Sequence, residues 1–163
     1  MFDDHLLMLA RLTLDEAQQR RLKIATAESC TGGLIAGLLT EIPGSSATVE
    51  RGFIVYSNRA KEEMLNVPGD LIADAGAVSE PVVRAMAEGA LEQSRANLAV
   101  AVTGVAGPGG GTPLKPVGLV HLAVARENKP IFHQAMRFGD IGRDKVRRET
   151  IVTALEMLRK MMA

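Results

Sequence analysis

Apolar residues recur along this chain at two spacings, which predict helices alternating with strands. The spacing of three and four residues that is typical of helices runs through Asp3–Arg21, Thr31–Leu39, Arg59–Leu65, the segment after Ser79 and Arg143–Met162. Short apolar runs typical of buried strands occupy Lys23–Ala27, Gly52–Tyr56, Asn97–Thr103, Val117–Ala125 and Ile131–Phe138. Strands separated by helices predict a layered α/β fold.

Turn and cap residues place the boundaries of these elements. Pro43-Gly44-Ser45-Ser46 is expected to end the second helix, and Pro68-Gly69 the third. Ser57-Asn58 and Ser79 are predicted helix caps, the latter with Pro81 in the first turn. No repeat, low-complexity tract or long linker interrupts the pattern, and 163 residues with 47% hydrophobic content suit one domain over residues 1–163.

Charge, hydropathy and cysteine content argue against a nucleic-acid-binding protein, a membrane protein and a disulfide-stabilised protein. Lys plus Arg equals Asp plus Glu at 19 each, so the basic excess of a nucleic-acid or anionic-membrane surface is missing. No apolar run approaches the roughly 20 residues that span a membrane. A single cysteine forms no intramolecular disulfide, and Met1 leads into Asp3-Asp4 rather than a signal sequence. We expect a soluble, cytoplasmic protein with neither a nucleic-acid nor a membrane partner.

The segment Thr26–Gly33 (TAESCTGG) places an acid, a hydroxyl and the only cysteine between a predicted strand and helix. Ser29 there would lie beside backbone N–H groups that no helical carbonyl satisfies, which suits a nucleophile with an oxyanion site. Equally, Ser29 or Thr31 could serve as a helix cap and the glycines as packing residues. Spacing alone leaves these two interpretations evenly balanced. Cys30 is expected to be a small buried residue, since none of the three histidines lies in a motif that would activate its thiol.

Lys61 is the candidate base for a serine nucleophile. It falls in the first turn of a helix, where the helix dipole disfavours an ammonium and partial burial would lower its pKa further. Tyr56, the only tyrosine, would orient Lys61 or relay a proton. The alternative, which the residues alone favour, is a solvated Lys61 offset by Glu62 and Glu63, with Tyr56 as a core residue.

A glycine-rich segment, Thr103–Gly118, follows the third predicted strand. Its glycines at 104, 107 and 109 match neither the Walker loop nor the dinucleotide-binding GxGxxG pattern. Its N–H groups at a strand's carboxyl end nevertheless suit an anion site. A flexible surface loop is the other interpretation, and it fits Gly110–Pro116 better than Thr103–Pro108.

Arg143 and Arg147, four residues apart, could bind a phosphate, although a solvated charged helix face is the favoured interpretation. No spacing of Cys, His or carboxylate residues suggests a metal site.

Four segments together resemble the CinA C-terminal domain family, whose stand-alone members act as nicotinamide-nucleotide amidases (PncC type). They are AESCTGG from Ala27, PGSSATVERGFIVYSNRAK from Pro43, GAVSEPVVRAMAEGA from Gly76 and AVTGVAGPGGGTPLKPVG from Ala101. The resemblance runs from about Lys23 to the C-terminal helix. It implies a three-layer α/β/α sandwich with a mixed sheet, and commonly a homo-oligomer.

The resemblance also implies a reaction and a set of site residues. The reaction is hydrolysis of nicotinamide mononucleotide to nicotinic acid mononucleotide and ammonia, without metal or organic cofactor. By motif position the family's Ser/Lys dyad falls on Ser29 and Lys61, and its tyrosine on Tyr56. We expect N–H groups at the Thr31–Gly33 helix start to hold the oxyanion, and the Thr103–Gly109 loop to hold the phosphate or ribose. The predicted substrate-binding residues are Glu28, Thr31, Gly32, Gly33, Asn58, Thr103, Gly104, Ala106, Gly107, Gly109 and Arg143, the role of Glu28 being unassigned.

One departure from the family pattern concerns Arg143. The family usually has a Gly-x-Arg step with a second arginine four residues later, whereas here Ile141-Gly142 separates Gly139-Asp140 from Arg143. This leaves open whether Arg143 reaches the substrate. Because the family includes domains fused to other enzymes, a catalytically silent nucleotide-binding module is the competing function.

Overall fold

A five-stranded mixed sheet forms the middle layer of the structure. The computed structural model describes residues 1–163. The strands are β1 (Ile24–Glu28), β2 (Val49–Ile54), β3 (Leu98–Gly104), β4 (Leu119–Arg126) and β5 (Phe132–Arg137). Their order is β2-β1-β3-β4-β5, with β1 parallel to both neighbours and the β3–β4 and β4–β5 pairs antiparallel.

Helices cover both faces of this sheet. One apolar cluster joins the sheet to α1 (Asp4–Gln19), α2 (Leu34–Glu41) and α6 (Arg143–Met162). A second cluster joins the opposite face to α3 (Asn58–Leu65), α4 (Gly69–Ala75) and α5 (Glu80–Glu92). The predicted three-layer α/β/α sandwich with a mixed sheet is therefore confirmed.

Small residues bring the second helical layer close to the sheet. The sheet positions that face α5 on the three central strands are alanines: Ala25, Ala27, Ala99, Ala101, Ala123 and Ala125. Within α5, a Cβ at Gly89 would collide with the Leu65 carbonyl at the end of α3. Because Gly89 has no side chain, α3 packs tightly against α5, and this places Lys61 of α3 at the edge of the sheet.

Three differences from the predicted boundaries have a clear structural cause. The second strand spans Val49–Ile54 instead of Gly52–Tyr56, because the chain leaves the sheet after the Val55 N–H bonds to the Glu28 carbonyl. The second helix starts at Leu34 rather than Thr31, since Gly32 and Gly33 have φ of +57° and +100°, outside the helical region. Pro68-Gly69, predicted only to stop a helix, also begins α4, with Pro68 as its N-cap residue.

None of the helices combines the length and the apolar character that crossing a bilayer requires.

Two histidines form a stacked pair on β4 and β5. His121 Nδ1 lies 3.0 Å from His133 Nε2, and the rings are 5.2 Å apart at an interplanar angle of 20°. Desolvation lowers the pKa of both imidazoles, and in His121 the charge of His133 lowers it further. Glu80 Oε1 lies 3.6 Å from His133 Nδ1, and the charge of Glu80 raises both pKa values, against the effect of desolvation. The charge of Arg84 lowers the pKa of His133 further.

This pair should make stability depend on pH below the ordinary histidine pKa of 6.5. The folded state holds both imidazoles neutral, so the unfolded chain binds more protons as the pH falls below that value. Their contribution is therefore complete above pH 6.5 and lost as the pH falls through the lowered folded-state pKa values. Urea unfolding between pH 7.5 and 5 should show a falling free energy of unfolding, and His121→Asn with His133→Gln should flatten the slope. An unchanged slope in that variant would contradict the assignment.

Candidate active site

The turn between β1 and α2, Ser29–Gly33, is called here the Ser29 turn. Its backbone is tied to the sheet and to itself: the Ser29 N–H donates to Val102 O over 3.1 Å, and the Gly32 N–H donates to Ser29 O over 3.1 Å. The Leu34 N–H donates to Thr31 O over 3.0 Å. The N–H groups of Cys30, Thr31 and Gly33 donate to no backbone carbonyl.

Glu28, the last residue of β1, caps α2. It is 0% exposed, and its carboxylate accepts bonds from Thr31 Oγ1 (2.6 Å), Ile35 N (2.8 Å) and Ala36 N (3.0 Å). A carboxylate at a helix N-terminus satisfies N–H groups that have no helical acceptor. The predicted substrate-binding set included Glu28, but the structure places it behind the Ser29 turn, with its oxygens occupied by the fold.

Lys61 is buried against Ser29. It is 1% exposed, and its Nζ lies 3.0 Å from Ser29 Oγ, 3.0 Å from Val55 O and 3.3 Å from Tyr56 O. The N-cap Ser57, whose Oγ accepts from the Ala60 N–H, starts α3 so that Lys61 falls in its first turn. Desolvation lowers the pKa of Lys61, because burial penalises its charged form.

The neutral form of Lys61 matches its surroundings. A neutral amine has two hydrogens and one lone pair, and two backbone carbonyls can accept the two hydrogens. The lone pair is then left for the Ser29 hydroxyl. Ser29 Oγ also lies 3.5 Å from Tyr56 O, which is long for an O–H···O bond, so Lys61 is the better acceptor for its proton.

Cys30 lines the same cleft but is a poor nucleophile. The residue is buried, and desolvation raises the pKa of its thiol to about 12. At neutral pH the sulfur therefore stays protonated, and a thiol is much less nucleophilic than a thiolate. This agrees with the expected packing role of Cys30.

Tyr56 and Arg143 lie together at the mouth of the cleft. Tyr56 is 63% exposed; its carbonyl, not its phenol, contacts Lys61. Arg143 Nη2 donates to Tyr56 Oη over 3.2 Å, and Nη1 donates to Gly107 O over 2.8 Å. The additional residues Ile141 and Gly142 thus do not carry Arg143 away from the site.

The cleft has a volume of about 270 Å³. Eight predicted site residues line it: Ser29, Tyr56, Asn58, Lys61, Thr103, Gly104, Ala106 and Arg143. Ala77 and Val78, which were not among the predicted site residues, also line the cleft. They precede the Ser79 cap in one of the four family-like segments, and Thr103 Oγ1 donates to Ala77 O. No carboxylate lines the cleft.

The remaining predicted residues lie outside this lining. Thr31, Gly32 and Gly33 belong to the Ser29 turn, and Gly107 supplies a carbonyl to Arg143. Gly109 lines a separate cleft of about 710 Å³ beside Arg137 and Asp140. No group of three or more His, Cys, Asp or Glu side chains is arranged to hold a metal ion.

Removing the Glu28 carboxylate should destabilise the fold. Glu28→Ala leaves buried donors of α2 unpaired, so the free energy of unfolding should fall by roughly 2–4 kcal/mol, whereas Glu28→Gln, which keeps one acceptor oxygen, should lose less. Chemical denaturation measures both. Glu41→Ala, at the exposed end of the same helix, is the matched control and should stay within about 0.5 kcal/mol. Equal losses at Glu28 and Glu41 would contradict the capping role.

Sequence comparison places these features in a known family. The profile of the CinA C-terminal domain matches residues 7–162. A CinA-like protein of Akkermansia muciniphila is 64% identical over 107 residues, which are 66% of this chain and 26% of that protein. A CinA-like protein of Anaeromyxobacter sp. strain K is 49% identical over 151 residues, 93% of this chain and 36% of that protein. The chain thus spans about a third or less of the length of these curated relatives.

Solved structures agree over the whole chain. The competence/damage inducible protein CihA of Agrobacterium tumefaciens has a TM-score of 0.98 and 53% identity, covering 100% of this chain and 99% of its own. A competence-damaged protein (CinA) superfamily member from Escherichia coli has a TM-score of 0.91 and 29% identity, covering 99% of this chain and 94% of its own. Fold, sequence profile and relatives therefore confirm the resemblance: the chain belongs to the CinA C-terminal domain family.

Proposed function

We propose that this protein is an amidohydrolase that converts nicotinamide mononucleotide to nicotinic acid mononucleotide and ammonia, a step in pyridine nucleotide recycling. The observation that carries the proposal is the 3.0 Å separation of Lys61 Nζ and Ser29 Oγ, both buried at the base of a cleft. A serine beside a desolvated lysine is the Ser/Lys form of an activated nucleophile. Membership of the CinA family supports the choice of substrate.

The first half of the reaction forms an acyl-enzyme. Ser29 Oγ attacks the carboxamide carbon while its proton moves to neutral Lys61 Nζ. The N–H groups of Cys30 and Thr31 stabilise the oxyanion, since no backbone carbonyl accepts from them, whereas the Ile35 and Ala36 N–H groups are occupied by Glu28. Collapse of the intermediate breaks the C–N bond, and protonated Lys61 gives its proton to the departing ammonia.

The second half releases the acid. Lys61, neutral again, takes a proton from a water molecule that attacks the ester carbonyl of acylated Ser29. Collapse of this second intermediate breaks the bond to Ser29 Oγ, which regains the proton from Lys61. The products are the carboxylic acid and free enzyme.

Arg143 is the group best placed to bind the substrate phosphate. Its guanidinium has five N–H donors, of which two bond to Tyr56 and Gly107. The others remain available at the cleft mouth, next to the loop of Gly104 and Ala106. Because no carboxylate lines the cleft, an anionic nucleotide meets no like charge there.

Removing either member of the dyad should abolish turnover. Ser29→Ala and Lys61→Met should each reduce kcat for ammonia release from nicotinamide mononucleotide by at least about 10³-fold. Lys61→Arg should be equally inactive, because arginine cannot lose its proton at accessible pH. In the wild type, the rate should rise with pH through a pKa below the ordinary lysine value, since burial lowers the pKa of Lys61.

Cys30→Ala is the matched control and should keep activity within a few-fold of the wild type. Near-wild-type turnover in folded Ser29→Ala or Lys61→Met would contradict the catalytic role of the Ser29/Lys61 dyad. A wild-type protein that binds the mononucleotide without releasing ammonia would instead favour the silent nucleotide-binding module.

The contribution of Arg143 can be measured through substrate choice. Arg143→Gln should raise KM for nicotinamide mononucleotide about 10- to 100-fold, the value of one lost charge-assisted hydrogen bond. The rate with nicotinamide riboside, which lacks the phosphate, should change little. Arg148→Gln is a control on the same helix, since Arg148 pairs with Asp3 and Glu149. An equal loss of activity toward both substrates would contradict the proposal that Arg143 binds the phosphate.

A further inference from the structure

We propose that Arg147 is a positioning residue that holds the Ser29 turn in its reactive orientation. Arg147 lies on α6, one helical turn after Arg143, and reaches the turn from the side opposite Lys61's helical layer. Its role as a support for the reacting residues rests on the proposed function. Its physical contact with the turn does not.

A chain of hydrogen bonds connects Arg147 to the backbone of Ser29. Arg147 Nη2 donates to Thr31 O over 3.3 Å. The same peptide group carries the Gly32 N–H, which donates to Ser29 O over 3.1 Å. Both ends of the Thr31–Gly32 peptide are therefore fixed, and a charged donor at one end polarises the bond at the other. The Leu34 N–H also donates to Thr31 O, over 3.0 Å, so the guanidinium adds a second, charged donor to the peptide group that binds the Ser29 carbonyl.

The surroundings of Arg147 differ from those of Arg148 and Arg159 on the same helix. Arg148 pairs with Asp3 and Glu149, and Arg159 pairs with Glu16. Arg147 has no carboxylate partner, and its buried Nε has no hydrogen-bond partner in the chain. Burying an unpartnered polar group costs free energy. Because Arg147 forms no ion pair, an ordinary surface ion pair does not explain why this side chain is held here. Its only bonded acceptor belongs to the Ser29 turn.

Gly32 is the residue of the turn that lies next to the guanidinium. At Gly32, φ is +57°, and a Cβ there would sit 3.4 Å from Arg147 Nη2. The left-handed backbone favours glycine, whereas a separation of 3.4 Å is an ordinary van der Waals contact that leaves room for a Cβ. The guanidinium therefore lies beside the backbone of the turn as well as donating a hydrogen bond to it.

The positive charge also offsets Glu28. The buried Glu28 carboxylate, adjacent to Ser29 in sequence, opposes negative charge forming at the turn. At Cys30, where desolvation is the main cause of the raised pKa, the charge of Glu28 raises it further and the charge of Arg147 lowers it. Arg147 thus contributes a fixed positive charge to the region where the proposed oxyanion forms, while Lys61 changes its charge during the reaction.

The test compares Arg147→Gln and Arg147→Lys with Arg148→Gln as the matched control. Hydrogen exchange of the peptide covering residues 29–34 is measured first, because it does not depend on activity. Arg147→Gln should speed exchange in this segment about tenfold or more, whereas Arg148→Gln should leave it unchanged. Arg147→Lys, which keeps the charge and a donor, should restore most of the protection.

Ammonia release from nicotinamide mononucleotide is the second measurement. Arg147→Gln should lower kcat about 10- to 100-fold, the cost of a misplaced reacting group, with KM within about threefold. Arg147→Lys should recover most of kcat, a rescue that loss of general stability would not produce. If Arg147→Gln does not fold, Arg147→Lys still decides: retained exchange protection and kcat support the proposal, and loss of either overturns it.

The two measurements separate this inference from the proposed function. A wild-type protein that releases no ammonia contradicts the amidase, while exchange in residues 29–34 still shows whether Arg147 holds the turn. An active wild type with unchanged exchange and kcat in Arg147→Gln overturns the positioning role and leaves the amidase standing.

Discussion

Three parallel strands, β1, β2 and β3, end at the same edge of the sheet, and the candidate site depends on this alignment. In their register Glu28 lies opposite both Ile54 and Val102, so the residues that follow each strand emerge together. Ser29 comes from the first strand, the Val55 and Tyr56 carbonyls from the second, and the Thr103–Gly104 segment from the third. Ligand sites of open α/β sheets lie at this edge for the same reason.

Two buried ionisable side chains, Glu28 and Lys61, lie near this edge in opposite hydrogen-bonding environments. Glu28 is surrounded by donors, including two N–H groups at the start of α2, and these suit a carboxylate. Lys61 is surrounded by oxygen acceptors with no carboxylate beside it, and desolvation lowers its pKa. The first side chain stabilises the turn, and the environment of the second favours a neutral amine. Their different environments separate a structural acid from the proposed catalytic base.

Much of the fold could be predicted because local patterns and packing agree. The segment after Ser79 forms α5 as predicted, with its apolar residues Val82, Val83, Met86 and Ala90 fully buried, and the long helix Arg143–Met162 has the predicted bounds. The errors arose where tertiary contacts override local signals. The strand predicted over Gly52–Tyr56 ends at Ile54 because Val55 and Tyr56 turn toward Lys61, and α4 was missed because Pro68-Gly69 serves two helices.

The sequence by itself determined the layered architecture, the family and the candidate pair Ser29 and Lys61, since apolar periodicity and four ordered segments are properties of the chain. It did not decide whether Lys61 is solvated or buried, because burial is set by neighbours distant in sequence. Only the tertiary structure decided that Lys61 meets Ser29, that Glu28 caps α2 and that Arg143 reaches the cleft. Each depends on contacts between separate elements, which only the packing of the layers brings within hydrogen-bonding distance.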